Sequence, residues 1–327
     1  MQNSQHISVA GQAPQVAEEK SAAQELKTFG ARVRQLFHRG AVLSLFKAAG
    51  MRCLSDNIPR MSAALAYYTI FSLAPLLVIA IAIAGLVLGQ KAAQGDIMGE
   101  IQQLIGADGA KAVQDMIASA HKPVHSTLAG LFGLATLLFG ATGAFNEIHD
   151  ALNNIWSAEP NKGSGLSNFI RTRFLSFGLV LILGFLLLVS LVISAGLAGL
   201  AKYAGHLLPI PAVGLHVVDL VFSVAIITVL FAMIFRMLPE VAITWGDVMI
   251  GAVITAILFT AGKFVIGFYI GKSVSASSYG AAGSLVIVIA WIYYSALILY
   301  FGAEFTRVYA CQFGSHVGCD EENRSRV

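Results

Sequence analysis

Three ionisable side chains, Glu147, Lys263 and Glu304, stand inside or at the ends of long apolar runs. A charge in hydrocarbon is costly, and it is kept where it meets a partner, water or a substrate. Spacing says which way each one points. Ala129, Gly133, Thr136, Gly140 and Gly143 recur every three or four residues, and the next step along that stripe is Glu147. Ala252, Ala256, Thr260, Gly267 and Gly271 form a similar stripe with Lys263 within it, while Tyr293, Leu297, Tyr300 and Glu304 share one helical face. Small-residue stripes mark close helix contact. All three charges are therefore expected to face other helices or a cavity, either as a polar pathway or as structural ion pairs. The expected cations for the two glutamates are Arg60 and Arg236, with Arg307 weaker because it shares a helix with Glu304; the expected partner of Lys263 is Asp219. Glu304 asks most for compensation, because the dipole at a helix C-terminus disfavours negative charge.

Other groups have weaker claims. Tyr68, Ser72 and Pro75 lie close together in an apolar run. Proline frees a carbonyl that Ser72 is placed to satisfy, giving a kinked helix that either lines a cavity or merely bends. Tyr279, Gly280 and Gly283 belong to a glycine-rich outer turn whose following helix N-terminus is a weak candidate for an anion. His121 and His125 are four apart, but Pro123 between them argues against the helix that a metal pair needs. The sequence "NEIHD", Asn146 to Asp150, is expected to leave the membrane as a hydrated helix end, with Trp156 as an interfacial anchor. No phosphate-binding loop or nucleotide fingerprint is present. No metal, cofactor or nucleic-acid partner is expected.

The elements that must hold these residues follow from composition. Of 327 residues, 57% are hydrophobic and only 12% charged, about half the charge of a soluble domain. Several apolar runs reach the ~20 residues that span a bilayer as helix. The expected fold is all-α and polytopic, with six spans at about 61–89, 127–147, 174–200, 216–238, 247–271 and 284–305. Asp56 or Asn57 with Pro59 marks the start of the first. Residues 1–25 read as a disordered tail and 26–60 as an amphipathic segment, lying on the membrane surface or packed on the bundle. Residues 61–310 form the membrane domain, with an external loop at about 90–126 holding two short helices, and 311–327 form a tail. Fifteen Lys and Arg fall on one side of this arrangement and five on the other, which places both termini in the cytoplasm. Cys53, Cys311 and Cys319 offer no paired framework and are expected to stay reduced there. About 60 polar or amphipathic residues precede the first apolar run, so no cleavable signal peptide is expected.

Three stretches resemble a known family: "MSAALAYYTIFSLAPLL", "LPEVAITWGDVMIGAVITAILFTAGKFVIGFYI" and "SSYGAAGSLVIVIAWIYYSALILYFGAEFTR". They are similar to the YihY/BrkB family of bacterial inner-membrane proteins, from about residue 45 to 310. The resemblance implies a six-span protein of the cytoplasmic membrane. It carries the family's labels of virulence or serum-resistance factor and of ribonuclease BN, and suggestions of transport, but no agreed catalytic residues. The scattered acids fit a nuclease poorly, so no enzyme is expected. The leading expectation is a transporter or a protein handling a lipid or envelope component, with the bilayer and a lipid or small solute as partners. The alternative is a structural or partner-binding envelope protein. Substrate, coupling ion and oligomeric state are not legible.

Overall fold

The computed structural model describes residues 41–88, 90–120, 127–158, 212–273, 280–317 and 319. These residues form seven helices and no strand: α1 Ala41–Ser55, α2 Ile58–Leu88, α3 Gln90–Ala120, α4 Thr127–Ile155, α5 Ala212–Met237, α6 Trp245–Ser273 and α7 Gly280–Gln312. Within α5, α6 and α7, the stretches Leu220–Met237, Trp245–Lys263 and Leu285–Gln312 are long and apolar enough to cross a membrane. The expected tail at 1–25, the span at 174–200, the pair His121 and His125, and Tyr279 lie outside the described residues.

Helix α7 is the centre of the bundle, packing against α1, α2, α3, α4 and α6. Its contact with α6 is built from threonines seated on glycines. A Cβ on Gly251 would overlap Thr306, and one on Gly302 would overlap Thr255. The same hydroxyls donate to carbonyls four residues back, Thr255 to Gly251 at 2.7 Å and Thr306 to Gly302 at 2.6 Å, so neither threonine hydroxyl is left open at the seam. In α4, Gly140 and Gly143 admit Ser72 and Tyr68 of α2.

Several expectations are corrected. The segment at 90–126 is not two short helices. It holds one 31-residue helix, α3, whose Ile97, Met98, Ile101, Val113 and Ile117 form one stripe against α2 and α7. The two patterns fuse because the small residues between them, including the buried Ala110 and Ala112, let the helix run on against its neighbours. Helix α4 does not end hydrated after Glu147. It continues to Ile155 with Ala151, Leu152 and Ile155 buried, and Trp156 is enclosed in the core rather than placed as an anchor. Gly280 and Gly283 sit within the first turn of α7, not in a loop. Ser72 donates to the Thr69 carbonyl at 3.1 Å, not to the carbonyl that Pro75 frees, and α2 is helical through Pro75. Cys311 and Cys319 are joined by a disulfide, which the turn after α7 makes possible by folding back.

Of the two readings of the amphipathic segment, α1 takes the packed one. Leu45 and Ala49 are buried against Ile250, Phe305, Val308 and Tyr309, and Phe46 stacks on Phe301 and meets Phe305 at a tilt.

Candidate functional site

The turn between α1 and α2 is set by Asn57, which adopts a left-handed φ of 56°. It ends α1, as this conformation commonly does. Its carbonyl then accepts from the N–H groups of Arg60 at 3.0 Å and Met61 at 3.2 Å, starting α2. Pro59 occupies the first turn, where its missing N–H is no loss. The Ser55 hydroxyl donates to Asp56 Oδ1 at 3.0 Å. The end of α1 and this turn bring Arg52, Cys53 and Asp56 to the buried face of α7.

On that face Tyr300, Glu304 and Arg307 follow at steps of four and three residues. Tyr300 and Glu304 have no exposed surface and Arg307 has 3%. Around Glu304 stand Asp56, within hydrogen-bonding reach, and the cations Arg307 and Arg52. Among the described residues no donor reaches either Glu304 oxygen. Arg307 Nη1 donates to the Ile155 carbonyl and Nη2 to Ser157 Oγ at 2.8 Å, so this guanidinium caps the end of α4. The Tyr300 hydroxyl, one turn along, also lacks a hydrogen-bond partner among the described residues and lies near Glu147. Ser62 and Trp156 bury polar atoms in the same condition. Elsewhere the buried hydroxyls of Thr228, Thr255, Thr260 and Thr306 all donate to main-chain carbonyls, the usual state of buried polar groups.

The expected partners of the glutamates divide. Arg60 lies near Glu147. Arg236 instead sits over the Trp245 ring, 5.9 Å from its centroid, because α5 packs on α6. The cations near Glu304 are Arg307, the weaker of the expected candidates, and Arg52, which the sequence did not single out. Lys263 and Tyr293 are half-buried on α6 and α7. The side chains of Asp219, Tyr269 and Pro75 lie outside those described.

Asp56 and Asp247 were missed. Asp247 is fully buried. It accepts from the Thr244 hydroxyl at 2.8 Å and from the Ser315 N–H at 2.9 Å, tying the turn after α7 to the start of α6. Thr244 three residues before it was the available signal, a helix-start pattern. Asn153 and His149 of α4 meet Glu240 between α5 and α6, the former by accepting its N–H at 2.9 Å. One end of the bundle thus gathers the α1–α2 turn, the end of α4, the α5–α6 connection and the end of α7.

Beside the polar cluster lies an apolar cavity of about 340 Å³, widely open to the surface, with Phe46 of α1, Ile58 of α2, Leu258 of α6 and Leu297 and Phe301 of α7 in its wall. Cys53 lines it and also stands next to Glu304 and Asp56. Burial first, and then those two carboxyls, push the Cys53 thiol up to about 12, which keeps it a neutral thiol rather than a nucleophile. Among the described residues no three His, Cys, Asp or Glu side chains converge as metal ligands.

Comparison with known proteins gives one consistent answer. The family described as Virulence factor BrkB matches residues 49–324. A UPF0761 membrane protein of Pseudomonas aeruginosa is 29% identical over 276 residues, which cover 83% of this chain and 63% of the relative. One from Ralstonia nicotianae is 25% identical, covering 84% of this chain and 60% of the relative, so the chain spans under two thirds of these two. One from Alteromonas mediterranea is 26% identical, covering 78% of this chain and 84% of the relative. No solved structure matches. The chain belongs to the Virulence factor BrkB family and is a membrane protein.

Proposed function

We propose that this is a multi-pass protein of the bacterial cytoplasmic membrane, with both termini inside, that moves or handles a lipid, envelope component or small solute at the α7 site. The observation that carries the reading is Glu304, a fully buried carboxyl with no donor at either oxygen. A purely architectural bundle satisfies such a group or replaces it. The adjoining apolar cavity gives room for the hydrocarbon part of a ligand whose polar part meets the cluster, and Cys53 borders both. The proposal contains no catalytic step and no nucleic acid, and ribonuclease activity is expected to vanish on stringent purification.

The test is reconstitution of the full chain into vesicles of phosphatidylethanolamine and phosphatidylglycerol carrying a fluorescent phospholipid. Dithionite quenching is expected to reach inner-leaflet label in protein-containing vesicles, and more slowly with Glu304→Gln. Quenching equal to protein-free vesicles, with a folded protein, supports the second reading, a structural or partner-binding role. That reading is favoured by the closely seated Thr–Gly contacts between α6 and α7.

A further inference from the structure

Glu304 and Asp56 are brought together by tertiary structure alone, one from the middle of the most enclosed face of α7 and the other from the α1–α2 turn. With both ionised, two anions would stand in contact, and Glu304 would face burial with no hydrogen bond to offset it. A proton held between the two carboxyls would supply the missing hydrogen bond and remove one of the charges. The surrounding charges do not remove the conflict. Arg52 comes from the last helical turn of α1 and Arg307 from α7, but neither donates to a Glu304 oxygen. Cys53 adds a neutral thiol, and Tyr300 lies one turn away beside Glu147, which is near Arg60 of α2.

We propose that Glu304 and Asp56 form a proton-binding site, in which the O–H of one carboxyl donates to an oxygen of the other. Asp56 retains exposure and Glu304 has none, so the proton enters from water at Asp56. Bound, it ties the α1–α2 turn to α7. Released, it leaves two like charges that push the turn away from the helix. On the transport reading this proton is the coupling ion, but the site stands whether or not a solute crosses.

Infrared difference spectra of the purified full chain in nanodiscs, recorded across a pH titration, read the site without any substrate. The expected result is a carboxylic-acid carbonyl band that shifts in heavy water, is lost in Glu304→Gln, and changes its pH midpoint in Asp56→Asn. Asp56→Asn alters only a half-exposed turn residue and serves if the first variant does not fold. A wild-type spectrum with no such band, or a band unchanged in both variants, overturns the proposal. So does loss of the band when sodium replaces N-methylglucamine at constant pH, which would assign the site to a metal cation. Lipid translocation that survives Glu304→Gln while the band is lost separates the proton site from the transport reading.

Discussion

Arg307 and Glu304 are neighbours on one helix face, and their surroundings differ sharply. Arg307 donates to the Ile155 carbonyl and to Ser157, so Arg307→Met should orphan the buried Ile155 carbonyl at about 1–3 kcal/mol, while the exposed Ser157 hydroxyl turns to water. Thermal unfolding in detergent should fall accordingly, and less for Arg307→Lys, which keeps a donor but not the fork. Glu304→Gln is expected to behave differently. Its amide can donate to Asp56 as the shared proton does, so the melting temperature near neutral pH should stay within about 3 °C of wild type. If Glu304 served as an anionic lock against Arg52 or Arg307, removing its charge would lower that temperature clearly. The inward direction of Glu304 was legible, because its face carries Tyr300 and the apolar run continues past it. Asp56 was not legible as a site residue. In a polar stretch it reads as a helix start, and only the left-handed turn at Asn57 carries it to α7.

Helix length was the most legible feature of the elements, and helix contact the least. The runs at 216–238 and 247–271 correspond to α5 and α6 within a few residues, because an apolar run long enough to span a bilayer has few other outcomes. The segment at 90–126 was misread because its two apolar patterns are separated by small residues, which show as one continuous helix only against a partner surface. Stripes pointed to close packing without saying which residue fills which gap. Gly251 and Gly302 are the informative cases, since each receives a threonine from the other helix. Gly251→Ala or Gly302→Ala should cost about 1–3 kcal/mol by overpacking. Gly50 in α1 has open space around its Cβ position, so Gly50→Ala should be neutral or gain up to about 1 kcal/mol from helix propensity. Denaturation of the three variants side by side distinguishes seam packing from propensity.

At the scale of the whole molecule, orientation is the claim with the widest consequences. Arg52, Asp56, Glu304 and Arg307 meet at one end of the bundle, and the proposed proton site opens to whichever compartment that end faces. Fifteen of the Lys and Arg residues fall on this side of the expected arrangement and five on the other, an asymmetry that directs loops to the cytoplasm. The Cys311–Cys319 disulfide is the feature that pulls the other way, since such bonds persist in oxidising compartments. Charge acts on every loop during insertion, whereas one bond closing a short turn forms after the helices are in place, so charge is expected to decide. With the three native cysteines replaced by serine, a cysteine in place of the exposed Ala107 of α3 should react with a membrane-impermeant maleimide in intact cells. A cysteine in place of the exposed His316 should react only after the cells are opened. The reverse pattern would place the α7 site outside, make the disulfide a structural bond of an oxidising compartment, and require the proton to enter from the external medium.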